Sequence, residues 1–243
     1  MVPVVKQVKR TVRAALVRGV PRGIRRWLVA RYPSLPLTPH NVGEAAAKFD
    51  GSAWERFYSD EDPYGIARSE YERLKYERTL DAVGPGPYGR ALEVGCSVGV
   101  FTAMLAPRCV ELWAVDIAEN AVKQARTRVR SFPHVRCERR TIPEDMPLGS
   151  FDLIVCSDVL YYWPVPALRA GARVLEAALA PRGRLVAAHY TGRADAGTRL
   201  DGNIVHDELA RVLTIDHTAS QAFENYRIDR YERRAVPIAA GAS

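Results

Sequence analysis

The first 43 residues carry nine basic side chains and no acidic one. The chain's net charge of +7 therefore belongs to this segment, because the remainder holds 26 basic against 28 acidic residues. The body thus lacks the spread of positive charge expected across the working face of a nucleic-acid enzyme. Nowhere is there an apolar run near the roughly 18 residues that a membrane-spanning helix requires. The basic segment also lacks the apolar centre of a secretory signal. Cysteines are few and scattered (Cys96, Cys109, Cys137, Cys156), with no C-x-x-C pair. This argues against a zinc site or a disulfide framework and fits a reducing compartment, the cytoplasm. No internal repeat is present. With 47% hydrophobic and 26% charged residues over 243 positions, wholesale disorder is excluded and one full-sized domain is expected.

Four zones follow. Residues 1–40 form a basic arm that ends in prolines. Val5, Val8, Val12 and Leu16 fall at helical spacing there, and Gly19-Val20-Pro21 ends the pattern. Such an arm suits an anionic membrane surface, a protein partner or nucleic acid. Residues 41–88 read as a helical cap that breaks at GPGPYG. Residues 89–236 alternate short β-rich runs with helical patterns, and 237–243 are a tail. Strands are expected at 90–95, 111–117, 134–139, 151–157, 183–189, about 214–220 and about 225–234. Helices are expected at 98–106, 119–130, 165–179 and about 204–213. The alternation predicts a doubly wound, mostly parallel, Rossmann-like sheet of seven strands with helices on both faces. The last two strands have no helix between them, so they form a hairpin that adds one antiparallel strand.

The most informative segment is LEVGCSVGV, residues 92–100, in which a buried strand runs into Gly95-Cys96-Ser97-Val98-Gly99 and a helix follows. Gly95 removes a side chain at a sharp turn, and Gly99 does so where the helix packs closely. The nicotinamide fingerprint G-x-G-x-x-G is absent, which disfavours a nicotinamide oxidoreductase. Glu93, two residues before the turn, would repel a pyrophosphate and welcome an ammonium. WAVDI places Asp116 at the tip of the next strand, 21 residues after Gly95, where a carboxylate accepts from ribose hydroxyls. A ribose with an amino-acid tail points to S-adenosylmethionine.

Residues 90–190 resemble the class I S-adenosylmethionine-dependent methyltransferases. DPYGIARSEYERLKYERTL (62–80), FDLIVCSDVLYYW (151–163) and LDGNIVHDEL (200–209) resemble, more narrowly, the nodulation-protein-S-like branch, which includes enzymes that N-methylate amino sugars. The resemblance implies that Gly95, Cys96 and Gly99 line the cofactor loop, that Asp116 holds the ribose and that Ile117 packs on the adenine. It places Thr141 and Ile142 where the family commonly has an acidic contact to the adenine, with Glu144 next in line. It implies that Tyr64 and Arg73 close over the cofactor and meet its carboxylate, although Arg73 also stands at i,i+4 from Glu77 as an ordinary surface pair.

Methyl transfer from a sulfonium is an in-line displacement in which positioning matters most. The acceptor belongs beyond the carboxyl ends of the central strands. The candidates there are Asp158, as amine anchor, proton acceptor or helix cap, Tyr161 or Tyr162, as pocket wall or core, and His189. His206 and Asp207 read as surface residues of a helix. No metal is implied. The expected function is N- or O-methylation of a sugar or similar polar metabolite. The alternatives are a macromolecular acceptor such as RNA held by the arm, and a non-enzymatic relative.

Overall fold

The computed structural model describes residues 51–192 and 200–235. The basic arm, the start of the cap and the tail lie outside them. The chain enters on helix α1 (Gly51–Phe57) and a 3-10 turn (Ile66–Arg68). Helix α2 (Glu70–Val83) follows; Ser69 caps it by accepting the Glu72 N–H at 3.2 Å, and two glutamates sit in its positive first turn. Strand β1 (Tyr88–Val94), helix α3 (Val100–Leu105), β2 (Cys109–Asp116), α4 (Glu119–Arg128) and β3 (Val135–Arg139) form the first half. Strand β4 (Phe151–Ser157), a 3-10 turn (Leu160–Tyr162), α5 (Val165–Ala177), β5 (Leu179–Tyr190), α6 (Gly202–Val212), β6 (Asp216–Ala222) and β7 (Tyr226–Glu232) form the second.

Among the described residues the strands make one sheet in the order β3-β2-β1-β4-β5-β7-β6. Neighbours from β3 to β5 are parallel, and β7 runs antiparallel to both β5 and β6. The final hairpin therefore folds back so that its second strand lies inside the sheet. The central strands are apolar on successive residues because both faces are covered. Leu92, Val94, Ile154, Cys156, Leu185 and Ala187 face one core with Leu168, Leu175 and Leu209. The alternate residues Ala91, Leu153, Val155, Val186 and Ala188 face the other, against Tyr76, Leu80 and Val83 of α2 and Phe101 and Leu105 of α3. Strand β5 starts earlier than expected, at Leu179, and its pairing with β4 is irregular between Phe151 and Leu153. No helix of the described residues is long and apolar enough to cross a membrane.

The order reverses between β1 and its two neighbours, β2 and β4. The carboxyl ends of β1, β2, β4 and β5 lie on the side of the sheet where α/β folds bind their ligands, near this switch point.

Candidate active site

The turn after β1 is pinned to the end of β2: the Gly95 and Cys96 N–H groups both donate to the Val115 carbonyl, at 2.8 and 2.9 Å. Gly95 has φ +78°, and a Cβ there would lie 2.7 Å from Val159 Cγ2. Gly99 has the same φ, and its absent Cβ admits Ala125 of α4, whose Cα would stand 2.8 Å away. The close partner of Gly99 is thus a helix. Ser97 also takes a positive φ, 51°, which is costly for a residue with a Cβ. Asp116 compensates: its Oδ2 accepts the Ser97 N–H at 3.0 Å and its Oδ1 accepts the Ala118 N–H at 3.0 Å. The carboxylate thereby ties the turn to the start of α4. Burial pushes it up to about 6, against the N–H donors that favour its charge.

Glu93, on β1 beneath the turn, is 3% exposed, and its Oε2 has no hydrogen-bond partner among the described residues. Burial pushes this carboxyl up to about 8, against the nearby Thr102 hydroxyl, which favours its charge but makes no hydrogen bond of normal geometry to Oε2. Cys96 is buried, and burial raises its thiol far above the ordinary value, so it is an inert packing group. Above the turn, Trp54 and Tyr58 of the cap pack with Val98, Ala118 and Ala121, and Ile117 and Tyr64 lie against that cluster. The Tyr58 hydroxyl donates to Ser97 Oγ at 3.0 Å. The Tyr64 and Tyr162 hydroxyls stand 3.2 Å apart, which links the cap to the turn after β4. Ile142 is buried in the main core and Thr141 is exposed, both just beyond β3. Arg73 is about half exposed and pairs with Glu77 and Glu70 of its own helix.

The second half of the site is built around Asp158, which follows β4 with φ +50°. Its N–H donates to the Ala188 carbonyl and its Oδ1 accepts the Tyr190 N–H, both at 2.8 Å. Its Oδ2 bonds Lys75 Nζ of α2. It does not cap the 3-10 turn that follows, which has no side-chain cap. Burial alone would push this carboxyl up, but the Lys75 ammonium, its hydrogen bond and the Tyr190 N–H act together with the His189 ring to hold Asp158 below the usual carboxylate range. His189 is fully buried; its Nε2 accepts the Leu160 N–H at 3.2 Å, and its ring meets Tyr161 and His206 edge-on. Burial, with His206 nearby, pulls it down to about 3, so it is neutral. Tyr161 lies in the main core and Tyr162 is half-buried between the two halves of the site.

His206 departs from its expected place on the surface of α6: it is fully buried, with Nδ1 3.0 Å from Oδ2 of the buried Asp229 on β7. It shares the inner face of α6 with Val205 and Leu209, whereas Asp207 points outward, to Arg227 at 3.2 Å. Sequence reasoning also missed Lys75, Tyr58 and the bridging place of Ser97. For Lys75 a signal existed: it falls on the stripe Tyr76, Thr79, Leu80, Val83 that α2 buries. The described residues contain no group of three or more His, Cys, Asp or Glu side chains that could hold a metal ion.

The model of the family nodulation protein S (NodS) matches residues 52–199. A nodulation protein S from Sinorhizobium fredii is 33% identical over 150 residues, 61% of this chain and 68% of that protein. Its counterpart from Bradyrhizobium diazoefficiens is 36% identical over 134 residues, 54% of this chain and 64% of that protein. The match thus spans about two thirds of these relatives' length. The crystal structure of the N-methyltransferase NodS from Bradyrhizobium japonicum WM9, in complex with S-adenosyl-L-homocysteine, superposes with a TM-score of 0.66 at 27% identity, covering 75% of this chain and 97% of that one. The donor set fits the cofactor seen in that relative in kind: a glycine turn, a carboxylate at the tip of β2 and an unpartnered buried carboxylate oxygen able to meet an ammonium. The chain belongs to the nodulation protein S family and is a class I methyltransferase whose cofactor is S-adenosylmethionine.

Proposed function

We propose that the chain N-methylates an amine of a polar small molecule, an amino sugar or similar metabolite. The observation that carries the cofactor side of this reading is the buried Glu93 oxygen without a partner beside the Gly95–Gly99 turn; the acceptor side rests on the partly open Asp158 carboxylate beyond β4. A closed core gains nothing from such a group, whereas an amino-acid ammonium satisfies it. In this reading the backbone of Gly95, Cys96 and Gly99 cradles the amino-acid tail and Asp116 accepts from the ribose hydroxyls. Ile117, Thr141 and Ile142 flank the adenine. Tyr64 closes from the cap, and Arg73 takes the tail carboxylate by exchanging it for Glu77. When bound, the cofactor supplies a methyl group on a positively charged sulfur.

The chain's own part is to bind, orient and exclude water. Asp158 is held ionised by Lys75, so it is a weak base and a good anchor: it orients the acceptor by accepting an amine N–H. An acceptor that arrives as an ammonium first gives one proton to solvent, which frees the lone pair for attack while Asp158 accepts a remaining N–H. Neutral His189 holds the Leu160 N–H and so positions the turn that carries Tyr161 and Tyr162, the proposed wall of the acceptor pocket. The proposed division of the chain is an arm at 1–40 for an anionic surface or partner, a cap at 41–88, the catalytic domain at 89–236 and a tail at 237–243.

Methyl transfer to glucosamine in the presence of S-adenosylmethionine, measured with a labelled methyl group, tests the reading. Labelling of glucosamine that disappears in Asp116→Ala is the expected result. Labelling confined to RNA, and lost on deleting residues 1–40, contradicts the small-molecule acceptor.

A further inference from the structure

We propose that Lys75 is a positioning residue for acceptor choice: it lies beneath Asp158 and presents that carboxylate as a fixed anion to a cationic amine. The inference rests on the N-methyltransferase reading above. Its starting point is the burial of Lys75, 1% exposed at the centre of α2. Removing an ammonium from water is expensive unless carboxylates and hydrogen bonds replace the lost hydration. Lys75 has two such carboxylates, Glu72 Oε2 at 2.7 Å and Asp158 Oδ2. The rings of Tyr71 and Tyr76 stand over its Nζ at 5.4 and 5.6 Å and complete the enclosure.

Charge and exposure are distributed unevenly within this group. One ammonium bridges two carboxylates. The cation is sealed, while the Asp158 and Glu72 side chains keep 23% and 21% of their surface exposed. The part of the Lys75–Asp158 pair that a ligand can reach is therefore the carboxylate, with the ammonium behind it.

Placement links this group to the chemistry. Asp158 holds its left-handed backbone through the Ala188 carbonyl, the Tyr190 N–H and Lys75. The next residue, Val159, fills the space that a Cβ on Gly95 would need. The carboxylate therefore stands between the cofactor turn and the carboxyl end of β5. The groups that face it are Lys75, Glu72, Tyr71 and Tyr76 from α2 and His189 and Tyr190 from β5. His189 is neutral, so Lys75 is the resident cation among them. A ligand with an ammonium is matched by this edge; an uncharged amide or hydroxyl at the same position is not.

The test is calorimetric titration of glucosamine into the complex with S-adenosylhomocysteine, with N-acetylglucosamine as the uncharged control. Lys75→Met leaves the Asp158 carboxylate without its fixed partner, free to turn away or take up a proton, and is expected to weaken glucosamine by about tenfold or more although it also removes a like charge. Its affinity for S-adenosylhomocysteine should change less than about threefold, since the cofactor contacts are separate. Lys75→Arg, which keeps the charge, should retain most of the glucosamine affinity. Asp158→Asn should cost as much as Lys75→Met, and the double variant Lys75→Met/Asp158→Asn, which leaves no uncompensated charge on either residue, should cost no more than either alone. Additive losses, or equal weakening of glucosamine and S-adenosylhomocysteine in Lys75→Met, would overturn the role given to Lys75. Wild-type protein that binds S-adenosylhomocysteine but prefers N-acetylglucosamine to glucosamine would overturn the acceptor class and this inference together. Failure to bind S-adenosylhomocysteine at all would instead remove the reading beneath it.

Discussion

The two halves of the site treat buried carboxylates in opposite ways. Beside β1 and β2, Glu93 and Asp116 are pushed up, to about 8 and about 6, because burial finds no resident cation to oppose it. Beside β4, β5 and β7, burial also acts on Asp158 and Asp229, yet both are held below the usual carboxylate range. Lys75 does this for Asp158, and His206 with Arg227 does it for Asp229. One half carries its own counter-charge. The other lacks one, and a cationic ligand supplies it. The difference teaches where in this fold a ligand's charge does work that the chain leaves undone.

The strongest way to break the comparison is Asp116→Ala. It removes the acceptor proposed for the ribose and also the bonds that hold Ser97 and Ala118. Loss of a hydrogen-bonded charge of this kind costs about 2–3 kcal/mol, so affinity for S-adenosylhomocysteine should fall by about two orders of magnitude in a calorimetric titration. Glu93→Gln sharpens the comparison by separating stability from binding. The folded-state value of Glu93 lies above its unfolded one, so the folded protein holds the extra proton and loses stability as pH rises from about 4.5 to about 8. Glutamine removes that penalty. The ligand-free variant should melt roughly 5 °C higher than the wild type at pH 8, with little difference at pH 4, while its affinity for S-adenosylhomocysteine drops about tenfold. The smallest effect belongs to Arg73→Ala. An exposed i,i+3 and i,i+4 pair contributes about 0.5 kcal/mol or less, so the melting temperature should hardly move. A fall in cofactor affinity beyond about threefold would then mark the proposed contact with the tail carboxylate.

Much of this architecture is legible in the sequence because its signals are local. The turn after β1 needs a residue without Cβ where Val159 and Ala125 press in, and Gly95 and Gly99 mark those places. The apolar runs of β4 and β5 announce burial on both faces. The cofactor half is legible for the same reason: Glu93, the turn and Asp116 lie on adjacent strands and close in sequence. The acceptor half depends on distant pairings. Lys75 meets Asp158 across 83 residues, and within EYERLKYERTL it looks like one more charge on a solvated helix. His206 finds Asp229 only because β7 inserts between β5 and β6. The sequence of β7, YRIDRYE, carries charges at four of seven positions, which hides a strand whose Ile228, Asp229 and Tyr231 are fully buried.

The central claim is that the cofactor half waits for a cation, and proton counting tests it most directly. S-adenosylhomocysteine should be titrated into the wild-type protein at pH 7 in buffers of different ionisation enthalpy. Glu93, at about 8 without ligand, is mostly protonated at that pH, and an ammonium beside it favours the carboxylate. The account predicts binding with release of about one proton, reduced to near zero in Glu93→Gln. Binding of equal strength with no proton released, or with a proton taken up, would contradict it.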